Sequence, residues 1–444
     1  MSDSDPADSD LGDSDLGDLE LPDAYRDLRR DLHRHPEPAW CEFYTTSRLI
    51  HELEQREIDD LLFGPEIHTA DARRNVPDES TLSEWRERAR EAGASDAVLD
   101  TIGNGFTGAV AVVERGDGPT VALRVDIDAL PITEADSDDH HPEAAGFRST
   151  NEGYMHACGH DAHATIGLGV LDRVLDSDFA GTFKLVFQPA EETISGAKPI
   201  AESGVLDDVD YFLAPHIGLD HPSGEVVAGI DEFLAVRQFE TTFEGESAHA
   251  GARPETGDNA VQAMAAAVQN LYGIPRNSAG GTRVNAGRVG GGTASNIVPG
   301  DAFIEGEVRG ETTELMEYMW DRAESVLAGA ATMHDCAVET ELLGDAPSAH
   351  SDAALVDVVD RVARRTTGVD TVVEHDSLGG SEDATYLMQR VQEHGGLAAY
   401  VGVGTDHPGG HHTPTFDVEE RDIAVGIDLL AGVVEALTDT AGLS

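Results

Sequence analysis

The sequence predicts an α/β sheet domain interrupted by a smaller α+β domain, and three observations carry that prediction. Apolar runs that read as buried strands alternate with helix-patterned stretches through most of the chain. Between residues 231 and 344 the rhythm changes to β-α-β-β-α-β, the split unit of ferredoxin-like domains, and sheet-type segments resume after it. The chain is 444 residues long, which favours two domains of unequal size over one.

Each element follows from local pattern. Residues 1–20, "MSDSDPADSDLGDSDLGDLE", form an acidic repeat with neither a basic region nor an apolar core, so a solvated tail is expected rather than a signal peptide. The first part of the sheet domain spans 21–230. It opens with "DAYRDLRRDLHRHPEPAW", a helix stopped by Pro36 and Pro38, and a second helix runs through "TTSRLIHELEQ". Residues 70–100 are charged, helical in pattern and read as an insertion. "GNGFTG", Gly103 to Gly108, matches GxGxxG, but that fingerprint must follow a strand and open a helix. Here it runs into the β-type "AVAVV", so a glycine turn is expected and not a dinucleotide site. "TVALRV", "TFKLVF", "DYFLA" and "LAAYVGV" read as buried strands, with "ATIGLGVLDRVL" as a helix among them. In the smaller domain, 231–344, strands "VRQFETTFEG", "TRVNAGRV", "AFIEGEVRG" and "AVETELL" accompany helices "GDNAVQAMAAAVQNL" and "TELMEYMWDRAESVLAGAATM". Residues 345–444 return to the first domain.

Charge narrows the partners. The formal net charge is −56, from 85 Asp and Glu against 29 Lys and Arg, and Lys184 and Lys198 are the two lysines. Nucleic acid and anionic membranes are poor partners for such a field. With 40% hydrophobic residues the chain still carries enough apolar surface for a folded globule, so the acid belongs on the outside. A shell this acidic repels itself in dilute buffer and is tolerated where counterions screen it, which predicts a salt-rich cytoplasm and a halophilic source. Cys41, Cys158 and Cys336 lack the spacing of a disulfide framework and suit a reducing compartment. No apolar run approaches the roughly 18 residues of a membrane helix.

The chemistry concentrates past the ends of the strands. "TVALRV" ends in Asp126 and Asp128, "TFKLVF" in Gln188-Pro189-Ala190-Glu191-Glu192, "DYFLA" in Pro215-His216, and "LAAYVGV" leads to a glycine loop ending in His411-His412. In open α/β sheets ligands bind at that edge. "MHACGHDAH", Met155 to His163, adds Cys158 and His160, two apart, whose side chains share a direction if the segment is extended. With Glu192, His216 and one of the paired histidines this makes five mixed ligands, more than one tetrahedral metal needs, and two metals sharing a water is the natural alternative. Glu191 is then free to act as a general base. Singly, an acid pair is a solvated surface pair and a His-His is loop filler; together they argue for a site. Haem attachment needs C-x-x-C-H, which is absent; a structural zinc knot leaves no spare acid; and a Cys158 nucleophile fits the short histidine spacing less well than ligation.

The stretches "RVDIDALP", "MHACGHDAH", "FQPAEE", "PHIG", "GESAHAGARPETGDNA", "SNIVP", "GSEDAT" and "HHTPTF" together resemble the M20 family of metal-dependent aminoacylases and carboxypeptidases, in its branch of N-acyl-amino-acid amidohydrolases. "PAWCEF", the charged insertion and "AGFRSTNEGYMHACGHD" are similar to the subgroup of p-aminobenzoyl-glutamate hydrolases. The resemblance implies a mixed-sheet metallopeptidase-type catalytic domain with an inserted ferredoxin-like lid and dimerisation domain. It implies a dinuclear manganese or zinc site held by Cys158, His160, Glu192, His216 and His412, the last preferred over His411 because the ligand precedes x-P-x-F. Glu191 is implied as general base, Asp126 as a carboxylate that orients a ligand, His249 as an oxyanion stabiliser offered across a dimer interface, and Asn296 and Arg309 as holders of the substrate carboxylate. His156 and His163 are expected to shape the loop and the helix that follows, and Asp161 has no assigned role. The expected substrate is a small N-acyl amino acid, p-aminobenzoyl-glutamate first, and the partner a second copy or a related chain. Three other readings differ in substrate or class: an aminoacylase of the hippurate or indoleacetyl-amino-acid type, a metallo-carboxypeptidase acting on peptides, separated by a hydrolysis panel, and a non-catalytic metal-binding scaffold, which would be expected to have lost a ligand or the base.

Overall fold

A computed structural model describes residues 19–407 and 409–438; residues 1–18 of the expected acidic tail lie outside them. The chain begins with α1 (Asp23–Arg34) and α2 (Phe43–Leu53), then a short strand β1 (Asp60–Phe63). The charged insertion folds as α3 (Glu79–Ala92) and α4 (Asp96–Ile102). Asp78 caps α3 by accepting from the Thr81 N–H, and Gly93 ends it in the left-handed conformation, φ 105°. There follow β2 (Ala109–Glu114), β3 (Thr120–Asp126), α5 (His141–Ala145), α6 (His160–Asp176), β4 (Thr182–Gln188), α7 (Ala197–Ala201), β5 (Tyr211–Ile217) and β6 (Glu225–Asp231). The glycine segment before β2 is a turn with Gly105 and Gly108 at φ 73° and 90°, as its pattern predicts.

Next come β7 (Ala235–Glu244), β8 (Ala248–His249), α8 (Ala260–Tyr272), β9 (Thr282–Gly291), β10 (Ile297–Val298), β11 (Asp301–Gly310), α9 (Thr313–Met333) and β12 (Ala337–Ala346). The chain closes with α10 (Ala353–Ala363), β13 (Thr371–Ser377), α11 (Ala384–Glu393), β14 (Leu397–Val403) and α12 (Glu420–Thr438).

The large sheet has eight strands in the order β1-β2-β4-β3-β5-β14-β6-β13. Its centre, β4-β3-β5-β14, is parallel, while β1, β2 and β6 enter antiparallel, so the sheet is mixed. Alternate residues of the central strands feed two cores because side chains change face at every residue. Leu123, Val125, Leu185, Phe187, Leu213 and Val401 pack under the face covered by α1, α2, α6, α10 and α12. Ala122, Val186, Phe212, Ala214, Ala398 and Tyr400 pack under α7 and α11. Being buried on both faces is why these strands read as continuous apolar runs.

The small sheet is antiparallel in the order β12-β7-β11-β9. It has its own core, in which Phe239, Phe243, Ile304 and Val308 meet Met319, Trp320 and Leu327 of α9. The sequence β7-α8-β9-β11-α9-β12 is the split pattern read from the chain, and the two-residue strands β8 and β10 pair beside it as a separate ribbon. Strands β1, β6 and β13 carry no sequence signal strong enough to be expected; β13, "TVVEHDS", is an exposed edge and therefore polar.

Candidate metal centre

Of the expected residues, Cys158, Glu191, Glu192, His216, Arg309 and His412 line a cavity of about 580 Å³ at the C-terminal ends of β4, β5 and β14, walled on the far side by β7 and β11, and His160 stands beside Glu192. Cys158 lies in the loop before α6, and Gly159 turns the chain there at φ 86°. A Cβ on Gly159 would stand 2.7 Å from Ile217 Cγ2, so only glycine fits. His160 is consequently the first residue of α6. The expectation of an extended segment is corrected: a left-handed turn, not strand alternation, puts Cys158 and His160 together.

Backbone carbonyls fix two of the imidazoles. A carbonyl can only accept, so His160 Nδ1 donates to Asp128 O at 2.9 Å and His216 Nδ1 donates to Ile217 O at 2.9 Å. Both Nε2 atoms are thereby free of backbone partners. That of His216 lies 3.4 Å from Cys158 Sγ. That of His160 is buried with no hydrogen-bond partner among the described residues, as is Glu192 Oε1, and these two atoms face each other at 3.8 Å.

The ligand atoms form two groups, each within 4.8 Å of one another: Cys158 with His216 and His411, and Cys158 with His160 and Glu192. Cys158 belongs to both. His412 stands beside the second group, its Nε2 3.6 Å from Glu192 Oε2 and its side chain 54% exposed. Sequence reasoning chose one of the paired histidines, whereas the fold brings both to the centre. His412 has φ 58°, so the chain turns at the pair; His411 meets His216 and the Ile217 carbonyl, and His412 meets Glu192.

The acid pair sits on a loop bracketed by Ala190 and Ile194 at φ 55° and 52°. Buried carboxylates hold this loop by its amides. Asp128 accepts the N–H groups of Glu191 and Glu192, both at 3.0 Å. Glu42 accepts from Ala190 at 2.8 Å, and Asp383 accepts from Gly196 and Ala197 at 2.9 Å. Glu191 lies against Glu382 and Asp383, their carboxylate oxygens within 4.8 Å of one another. Below them the fully buried Arg124 donates to Asp126 at 2.9 Å and to Glu382 at 3.1 Å. Sequence places Asp128 past a strand end but gives it no role, and does not single out Glu382 and Asp383; the signal for these two is the adjacent acid pair in "GSEDAT".

Asp126 makes no hydrogen bond to the assigned ligands, although its Oδ1 lies 3.7 Å from His160 Nε2. Its Oδ1 accepts from His163 Nδ1 at 2.5 Å, His163 Nε2 accepts the Ile217 N–H at 2.8 Å, and the Ile217 carbonyl accepts from both His216 and His411. Asp126 therefore reaches two histidines through one backbone unit. Arg309 lines the cavity, but its guanidinium is already paired with Glu307 at 2.8 and 3.0 Å and donates to Ser381 Oγ at 3.2 Å. His249 and Asn296 do not reach the cavity within one chain. Both are exposed, at or beside the β8–β10 ribbon, and His249 Nδ1 accepts from the amides of Gly251 and Ala252.

The electrostatics ask for cations. Burial, then the charge of Glu382, pushes the Glu191 carboxyl well above its usual range. Burial, then the remaining acids, takes Glu192 up to about 8 and the Cys158 thiol well above its ordinary value. Divalent ions at the two groups would relieve this excess of buried negative charge, and the unpartnered His160 Nε2 and Glu192 Oε1 are the donor atoms that such ions take. The residues fit a dinuclear site.

Comparison with known proteins agrees with this geometry. Residues 122–436 match the model of peptidase family M20/M25/M40. The chain is 45% identical to indole-3-acetyl-aspartic acid hydrolase of Enterobacter agglomerans, over 91% of this chain and 93% of that one. It is 42% identical to a component chain of p-aminobenzoyl-glutamate hydrolase of Escherichia coli, with the same shares covered. Among solved structures, an aminobenzoyl-glutamate utilization protein from Klebsiella pneumoniae superposes with a TM-score of 0.80 at 38% identity, covering 93% of this chain and 95% of its own. A dinuclear metal binding peptidase of the M20 family from Bacillus subtilis gives 0.66 at 25% identity, covering 94% and 98%.

Proposed function

This chain belongs to peptidase family M20/M25/M40 and is a hydrolase, and from that premise we propose that it cleaves the amide bond of N-acyl amino acids with an aromatic acyl group. p-Aminobenzoyl-glutamate is the first candidate substrate and indole-3-acetyl-aspartate the second, each named for a relative more than 40% identical. One observation carries the reading: His160 Nε2 and Glu192 Oε1, buried and unpartnered, face each other 3.8 Å apart, one residue after the buried acid Glu191. A scaffold that had lost its metal would have no reason to keep such atoms unsatisfied, and the spare acid Glu191 is what a catalytic centre adds to a metal-binding one.

In this reading Cys158, His160, Glu192, His216 and His412 hold two divalent ions, with His411 flanking the Cys158–His216 side. The thiolate favours zinc, and the imidazoles and carboxylate accept manganese equally. When bound, the ions polarise the scissile carbonyl and acidify the attacking water. Glu191 takes a proton from that water onto a carboxylate oxygen, the C–O bond forms, and the same proton passes to the amine nitrogen as the C–N bond breaks. Asp128 keeps Glu191 aimed by binding its amide, and Asp126 keeps His216 aimed through His163 and Ile217. Ile194, Leu219, Ile230, Val236 and Leu378 give the cavity an apolar wall suited to an aromatic acyl group. Arg309 and Asn296 bind the substrate carboxylate, Arg309 by exchanging Glu307 for it, and a second copy or a related chain supplies His249 to the oxyanion. The smaller domain serves as lid and dimerisation surface, and the acidic exterior suits a salt-rich cytoplasm.

The test compares wild type with Glu191→Gln, purified in high salt, for bound metal and for hydrolysis of an N-acyl-amino-acid panel. The variant should retain its metal and lose roughly 10²- to 10⁴-fold in kcat. Full activity in the variant overturns the assigned base; a wild type inert toward every aromatic acyl-amino acid overturns the substrate class.

A further inference from the structure

We propose that Arg29 is a positioning residue that ties both ligand-bearing loops to the N-terminal helix, a proposal that rests on the ligand assignment above. Arg29 on α1 is 1% exposed, and its guanidinium meets two carboxylates at once. Nε lies 2.9 Å from Asp161 Oδ2, and Nη2 donates to Asp417 Oδ1 at 2.5 Å. Asp161 directly follows His160, and Asp417 lies in the segment between His412 and α12. One turn along α1, His33 reinforces the grip with Nδ1 2.8 Å from Asp161 Oδ2 and Nε2 2.9 Å from Glu134 Oε1. His141 Nδ1 lies 2.9 Å from the other oxygen of Asp417.

None of these residues belongs to the clusters of ligand atoms, so none acts by ligation. Nor is stability a sufficient reason for them, because burying an arginine between two acids costs more in desolvation than apolar packing of the same volume. Nη2 donates to Asp417 while Nε meets Asp161 as an ion pair without a hydrogen bond, so one rigid planar cation spans both carboxylates at a set separation, which the compact ammonium of a lysine does not do. What the arrangement delivers is therefore the relative placement of two loops far apart in sequence, one carrying Cys158 and His160, the other His411 and His412. An outer contact of this kind sets ligand geometry without touching the ion.

The experiment titrates metal-stripped full-length wild type, Asp417→Asn and Arg29→Lys with manganese and with zinc by calorimetry, and measures kcat and KM for p-aminobenzoyl-glutamate. Asp417→Asn opens one side of the clamp; Arg29→Lys keeps the charge and loses the fork. Wild type should take up two equivalents, and each variant should bind one of them about 10- to 100-fold more weakly. kcat should fall with KM nearly unchanged, and excess metal should restore it, a rescue that a merely structural defect would not show. Wild-type affinity for both equivalents in either folded variant overturns the role of Arg29 and leaves the ligand assignment standing. A wild type that binds no metal overturns the ligand assignment and this proposal with it.

Discussion

A histidine presents a lone pair in a chosen direction only when its other ring nitrogen is held, and the centre uses that rule twice. The carbonyls of Asp128 and Ile217 take the Nδ1 protons of His160 and His216, so both Nε2 atoms turn toward the cleft. His160 would otherwise be cationic: burial opposes protonation, but the charge of Asp126 and the contacts with Asp128 overcome it and take the imidazole up to about 10. A metal ion must displace that proton. At the paired histidines, His412 Nε2 faces Glu192 at 3.6 Å, while His411 Nε2 is engaged by the Ile217 carbonyl at 3.1 Å. His412→Ala is therefore expected to weaken one metal equivalent by at least about 10-fold, and His411→Ala by less. Calorimetric titration with manganese decides the order, and a larger loss in His411→Ala would reverse the assignment. The residue-level pattern was visible as acids and histidines past strand ends, but not which nitrogen or oxygen would be left bare, because that depends on carbonyls contributed by other loops.

At the scale of elements, α1 and α6 hold the back of the site. α1 turns Leu28 and Leu32 into the core, and beside them the charged Arg29 and His33 are equally buried. Burial works against a charged His33, yet the Asp161 carboxylate and the hydrogen bonds to Asp161 and Glu134 raise it to about 9. Its folded-state value thus exceeds the ordinary 6.5 or so, and the stabilisation is fully present below about pH 6.5 and lost as pH rises through about 9. The difference in stability between wild type and His33→Gln should be largest near pH 6, on the order of 3 kcal/mol since each pKa unit is about 1.4 kcal/mol, and should shrink toward pH 9. Thermal unfolding of the metal-free proteins across that range is the measurement; a gap that widens with pH would contradict the assigned charge state. None of this was legible in "DAYRDLRRDLHR". Charged residues at helical spacing read as a solvated face, and only the packing of α1 against α6 and the segment before α12 encloses them. The insertion follows the same rule: its helices were expected from pattern, but their task was not. Trp85 of α3 packs edge-on against Tyr154 at 4.9 Å, bracing the chain just before Met155 to Cys158.

For the whole molecule, the −56 charge sets the conditions under which the fold persists. Many acids have basic partners on the surface, but 29 basic residues cannot neutralise 85 acidic ones, and the remainder repel. Raising salt from about 0.1 M to about 1 M shortens the Debye length from about 10 Å to about 3 Å, so the unfolding temperature should climb steeply over that range. Full stability in dilute buffer would remove the case for a salt-rich origin. Among the described residues no helix is long and apolar enough to cross a membrane. The sequence by itself determined the central strands β3, β4, β5 and β14, the split pattern of the smaller domain, and the residue types of the centre, because those follow from side-chain period and from chemistry that one short segment can hold. Tertiary structure alone decided that Gly159 turns Cys158 toward His160, that both paired histidines approach the centre, that Asp128 and Asp383 grip the acid loop, and that His249 and Asn296 stay outside the cavity of their own chain. Each of these depends on contacts between segments far apart in the chain or on a backbone turn with no periodic signature, and neither is written in local pattern.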